Sequence, residues 1–216
     1  MSHIVAIQST YQTVQLGLFD GTQCLGESIL DKKESSAQLM PSLAALCTAH
    51  QWDINRIAYL VTNQGPGPFT TLRTVIASVN GLGFATGIPI IGINALEALI
   101  IEFDPDNTLT TLALLNAFGG ELYYGLRYAG ETDIITGVDL LVNIYGKIQA
   151  TTLQVIGAAA ASSASLLHDM YKDTVTIHTE LHHASLKTLI TIALKQIHAG
   201  YAGTSQVMPY YLKNSM

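Results

Sequence analysis

The sequence predicts a duplicated α/β fold: two lobes, each a mixed sheet flanked by helices. Three observations carry this expectation. A strand–polar turn–strand pattern recurs at half the chain length, and strands alternate with helices after each copy. Of the 216 residues, 49% are hydrophobic and only 12% charged, enough apolar mass to build two cores.

The elements follow in order. "IVAIQSTYQTVQLGLFDG" reads as a strand, a turn at Ser9–Gln12, and a second strand in which Val14, Leu16 and Leu18 alternate. "TQCLGESIL" is a third strand and "SSAQLMPSLAALCTAHQ" a helix. A buried strand, "IAYLVTN", a helix after Phe69, and a short strand, "PIIGIN", lead into "ALEALI". "EFDPDN", with a proline and three acids, is expected to link the halves, giving lobes at 1–103 and 104–216. The pattern then restarts. A shift of 108 positions places Ile7 on Leu115, Gln8 on Asn116, Val14 on Leu122, Gly17 on Gly125 and Leu18 on Leu126. "TLQVIGAAA" is a strand, "SSASLLHDMY" a helix, "TVTIH" a strand and "ASLKTLITIALKQIHA" a long helix. Strands that alternate with helices after an antiparallel hairpin make a mixed sheet with helices on its faces.

Composition narrows the function classes. A net charge of −6 supplies no basic field for tight binding of nucleic acid by this chain alone, so any RNA contact needs a partner's cations. Cys24 and Cys47 have no metal-type spacing and are expected to pack as small apolar groups in a reducing compartment. "MSHIVAIQSTYQ" lacks a basic region ahead of a long apolar run, so no signal peptide is expected. "GIPIIGINALEALIIEF" is broken by Pro89, Asn94 and Glu97 and does not read as a membrane span. A cytoplasmic location follows as the expectation.

The stretch from Asn63 to Gly87, "NQGPGPFTTLRTVIASVNGLGFATG", sets Gly65, Pro66 and Gly67 between a buried strand and a helix of small and apolar residues. A Walker-type phosphate loop needs a lysine after its glycines, whereas Leu72 and Arg73 follow Thr70 and Thr71 here. The N–H groups at the helix start either hold an anion or are capped by Thr70, and capping is the simpler role. Leu72, Ile76, Val79 and Gly83 form one stripe, and Val75, Leu82 and Ala85 a second. The preceding helix carries Leu39, Leu43 and Leu46, with Met40, Ala44 and Cys47 beside them. A helix apolar on two faces is either wholly buried or packs at home with one face and on a partner with the other. Periodicity leaves open which stripe faces inward.

"GPGPFTTLR" resembles the G-P-G-S-F-T-G-L-R signature of the TsaB (YeaZ) family of bacterial tRNA threonylcarbamoyladenosine synthesis. Gly65, Pro66, Gly67, Phe69, Thr70, Leu72 and Arg73 match it, while Pro68 and Thr71 depart. "IVAIQST", "IPIIGINALEAL" and "PYYLK" agree in order, so the resemblance spans essentially the whole chain, although only the nine-residue motif is sharp. It implies the duplicated actin-like ATPase (ribonuclease H-like) fold of the actin/hexokinase/Hsp70 superfamily. It also implies a non-catalytic subunit that binds the catalytic relative TsaD, with the ATPase TsaE joining. Such a subunit supports threonylcarbamoyl transfer to the adenosine beside the anticodon, touching tRNA only through the complex. In that family the two first-half helices pair with TsaD and self-pair without it. Met40, Leu43, Cys47, Leu72, Ile76 and Val79 are therefore the candidates for the partner surface. On that reading, Ile76→Glu abolishes the complex and leaves the fold intact.

Superfamily members that hydrolyse ATP place carboxylates at the two hairpin turns to hold Mg²⁺ and its waters. Gln8 and Asn116 stand there instead, followed in the second copy by Phe118, Gly119 and Gly120. An amide keeps the shape but drops the charge that Mg²⁺ requires, so Gln8, Asn116 and Gly119 read as a degenerate nucleotide cleft. Turn amides are the simpler reading of both. Neither catalytic residue nor cofactor is expected; the alternative is a weak ATPase or sugar-kinase-like phosphotransferase working in the cleft between the lobes. In "HTELHH", His178 and His182 have the spacing of a helical metal pair, but Thr179 and Glu180 read as capping residues for a helix starting near His183. Proteins of this group carry a glycoprotease label through likeness to TsaD. No G-x-S-x-G, no H-E-x-x-H and no cysteine beside a base accompanies it here.

Overall fold

The computed structural model describes residues 2–212, so Lys213 of "PYYLK" lies outside the described residues. The first copy runs β1 (His3–Ser9), β2 (Thr13–Asp20), β3 (Gln23–Asp31), α1 (Ser35–Ala49), β4 (Tyr59–Gly65), α2 (Phe69–Thr86), β5 (Ile90–Asn94) and α3 (Ala95–Phe103). The second runs β6 (Thr111–Asn116), β7 (Leu122–Arg127), β8 (Ile135–Asp139), α4 (Leu141–Tyr145), β9 (Leu153–Ile156), α5 (Ala160–Tyr171), β10 (Val175–Ile177) and α6 (Leu186–His198). Two five-stranded sheets result, ordered β3-β2-β1-β4-β5 and β8-β7-β6-β9-β10. In both, the first three strands pair antiparallel and the rest parallel, the duplicated actin-like arrangement. Ile7 pairs with Leu16 but Leu115 with Tyr123, so the second hairpin is one residue tighter than an unbroken repeat.

The units defined by packing are not the contiguous lobes 1–103 and 104–216. One comprises Met1–Asn94 with Ser185–Tyr210, the other Ala95–Ala184 with the last residues. The closing helix of each copy has changed places: α3 packs on β6, β7 and β9, and α6 on β1, β2, β4 and β5. Gly17 and Gly125, aligned by the repeat, explain how these helices come so close. A Cβ on Gly17 would lie 3.1 Å from Leu186 Cδ1 of α6, and one on Gly125 3.0 Å from Leu96 Cβ of α3. On the other face of the first sheet, Val5, Ile7, Val14 and Leu16 form one core with the inner sides of α1 and α2.

"EFDPDN" is not a loose linker. Asp104 is buried, accepts N–H bonds from Thr108 and Leu109 at 3.0 Å, and pairs with buried Arg127 at 2.8 Å. Burial raises the Asp104 carboxyl's pKa, but those amides and Arg127 more than offset this and hold it below the usual range. β8 and α4 answer no element anticipated above; β8 is a short edge strand without a buried residue, so it carries no strong alternation. Among the described residues no helix is long and apolar enough to cross a membrane.

Candidate functional site

The glycine-rich stretch forms a packed turn. Asn63 is buried and its Oδ1 accepts the Gly65 N–H at 2.7 Å. Gly65 has φ +100, and a Cβ there would stand 2.8 Å from Leu72 Cδ2, so the site demands glycine twice over. α2 starts behind Pro68, and no side chain caps it. The expected Thr70 cap is therefore not formed: Thr70 is exposed, and its carbonyl accepts the Thr74 hydroxyl. Phe69 is also exposed, with the Arg73 guanidinium 3.6 Å above its ring. Gly65 and Pro66 thus serve packing, while Phe69, Thr70 and Arg73 reach the surface.

Of the six partner-surface candidates, only Met40 is exposed. Leu43, Cys47, Leu72, Ile76 and Val79 lie in the core of the first unit, between 0% and 7% exposed. The physical reason is that the richest apolar stripe of a helix is worth most against its own sheet. Ile76→Glu would accordingly bury a charge in this core instead of disturbing a contact. Burial also raises the Cys47 thiol's pKa, which keeps it protonated and unreactive.

What α2 turns outward is a different stripe: Phe69, Arg73, Ala77, Gly81 and Phe84, spaced four, four, four and three apart. Phe84 is 91% exposed. Beside it α1 presents Ala37, Met40, Ala44 and Thr48, and the two helices pack side by side. Arg73 is the only charge on either helix. This face was missed because it is made mostly of small residues, but one signal was available: an aromatic, Phe84, belonging to neither apolar stripe.

Gln8 and Asn116 belong to different units. Gln8 is fully buried, and its Nε2 donates to Gln15 Oε1 at 2.8 Å across the hairpin. Asn116 is exposed at the end of β6; Gly119 and Gly120, at φ +82 and +81, make the turn that follows, with Phe118 exposed at its tip. His178 to His183 is a loop and not a helix. His178 donates its N–H to Val155 O, holds a ring nitrogen 2.8 Å from Gln154 Oε1, and tilts against Phe103. α6 begins only at Leu186, capped by Ser185 Oγ instead of Thr179 or Glu180. Glu102, Phe103, His178 and Glu180 line an open depression of about 540 Å³ there. Burial, with the charge of His182, pushes the nearby His183 imidazole below its usual pKa against Glu102. Among the described residues no three ligating side chains are grouped to hold a metal.

Duplicated sheets of this order, with a glycine–proline turn feeding α2, define the class as a duplicated actin-like ATPase fold. Residues 29–197 match the family described as TsaD: tRNA N6-adenosine threonylcarbamoyltransferase, and the chain belongs to that family. Within it the chain is TsaB/YeaZ-like. It is 25% identical over 135 residues to the tRNA threonylcarbamoyladenosine biosynthesis protein TsaB of Escherichia coli (strain K12), covering 62% of this chain and 58% of that protein. It is 31% identical over 157 residues to the uncharacterized protein ML0378 of Mycobacterium leprae (strain TN), covering 66% of this chain and 43% of that protein. The chain thus spans about half the length of the curated relatives it matches. YeaZ from Pseudomonas aeruginosa superposes with a TM-score of 0.77 over 97% of this chain and 100% of that one, at 18% identity. That likeness speaks to the fold.

Proposed function

We propose that this chain is a non-catalytic subunit of the cytoplasmic assembly that makes N6-threonylcarbamoyladenosine at position 37 of tRNA, and that it binds TsaD through the outward face of α1 and α2, with TsaE joining. The observation that carries the reading is Phe84, 91% exposed on a helix face of small residues with a single charge. Ala77 and Gly81 let a partner helix approach at the short end of the usual 8–10 Å. Met40, the one earlier candidate on this side, adapts to an irregular contact. Without TsaD the same face closes on a second copy. Gln8 and Asn116 lack the charge a magnesium clamp needs, which supports a scaffolding role. Binding then favours an active arrangement of TsaD by as much as its affinity differs between arrangements. With a net charge of −6, contact with tRNA runs through partners.

The test is co-purification with the cognate TsaD, followed by reconstituted threonylcarbamoylation with and without this chain. Joint elution and dependence of modification on the chain support the reading. Separate elution together with tight, magnesium-dependent ATP binding by the isolated chain in calorimetry would replace it with a phosphotransferase.

A further inference from the structure

β5 is the edge of the first sheet, and the segment after α6 runs from that edge to the motif turn, all within the first unit. It starts at Gly203, which has φ +80 and where a Cβ would stand 3.0 Å from Pro89 Cβ, so the bend takes only glycine. Ile90 and Thr204 exchange both main-chain hydrogen bonds, at 2.8 and 2.9 Å. Asn80 of α2 donates from Nδ2 to Val207 O and accepts the Val207 N–H at Oδ1, each at 2.9 Å, as a neighbouring strand residue would. The Tyr210 N–H donates to Gln64 O at 2.7 Å. The Gln64 side chain lies beside Val207 over Gly92, where a Cβ would strike the Gln64 amide and come within 3.2 Å of Val207 Cγ1. Gly65 follows, with Tyr210 O 3.5 Å from where its Cβ would be. The segment therefore holds the residue that opens the glycine–proline turn by main chain and side chain together.

Little else anchors it. Of residues 204–210 only Val207 is buried, and Met208 beside it is 67% exposed. A stretch fastened by a few hydrogen bonds and one apolar side chain opens at a lower free energy than the sheet beneath it. We propose that residues 204–210 are a latch on the glycine–proline turn. Closed, it fixes Gln64 and packs against Gly65. It opens as one piece, with Asn80 as its catch, and the turn that feeds α2 loosens with it. The same opening bares the main-chain groups of Ile90 on the edge of β5. The device lies wholly within the first unit and operates whether or not that unit docks on a partner.

Native-state amide exchange on the full chain, in a series of low denaturant concentrations, tests this. In wild type the N–H groups of Thr204, Val207, Tyr210 and Gly65 should exchange through one shared opening. That opening should be at least about ten-fold more frequent than the one that exposes the β1–β2 hairpin, and less sensitive to denaturant. Asn80→Ala should speed all four together by about thirty-fold, the weight of two ordinary hydrogen bonds. Val207→Ala, which removes the apolar anchor instead, should speed the same four. Two results would overturn the latch. If the variants speed Val207 and Tyr210 while Gly65 keeps its wild-type rate, the segment is not coupled to the turn. If in wild type the four are as protected as the hairpin and as sensitive to denaturant, the segment opens only when the whole unit unfolds.

Discussion

Phe84→Ala isolates the docking reading from the stability of the chain. The ring is 91% exposed, so in the free protein it contributes little to folding. An aromatic side chain presents roughly 150–250 Å², and covering nine-tenths of it at about 25 cal/mol/Å² sets a ceiling of about 3–6 kcal/mol. Ordering the ring and incomplete closure lower the expected loss on truncation to about 2–3 kcal/mol, a rise in Kd of roughly 30- to 150-fold. Calorimetric titration against TsaD measures this directly. Ile135→Ala is the control, since Ile135 is also exposed, at 52%, but sits on an edge strand of the other unit. The melting temperature of the free chain should stay within about 2 °C, as for surface substitutions generally. A Kd within about two-fold of wild type for a normally folded variant would refute the assignment of this face.

Three further outcomes follow from the packing. Ile76→Glu should yield insoluble or unfolded chain, because its site is 3% exposed and apolar; a soluble, native-like variant that loses only TsaD would return the inner stripe to the interface. Asp104→Asn leaves the buried Arg127 charge uncompensated and should cost about 3–5 kcal/mol at pH 7 in urea melts. Because the folded Asp104 pKa is lowered, its contribution is present in full above the unfolded value near 4 and lost as pH falls through the folded one. The gap between wild type and variant should therefore narrow below about pH 4, and a gap independent of pH would contradict the assignment. Gly65→Ala should cost about 1–3 kcal/mol through its positive φ and its contact with Leu72, read as a lowered melting temperature; an unchanged one would mean the turn relaxes freely.

The hairpins were legible because a period of two over Val14, Leu16 and Leu18 leaves little else for that stretch to be. Helix positions were legible for the same reason at a period near four. The direction a stripe faces was not. Leu72, Ile76 and Val79 carry equal periodicity whether they meet their own sheet or a partner, and only the surrounding packing separates the two. Asp104 shows the same limit in polar form: its composition reads as linker, while the Arg127 that buries it lies on a distant strand. Ser185 displaced Thr179 and Glu180 as the cap of α6 because His178 is held to β9 by its N–H and ring nitrogen, which keeps the following residues out of the helix.

By itself the sequence determined the duplication, the hairpin amides Gln8 and Asn116, the paired glycines Gly17 and Gly125, and the motif turn. All of these are written in short-range patterns of residue size, polarity and spacing. Only the tertiary structure decided that α3 covers the second sheet and α6 the first, that five of six candidate interface residues are core, and that Phe84 and Met208 stand exposed. Burial is settled by what arrives from elsewhere in the chain, and a local pattern records which residues are apolar without recording what will cover them.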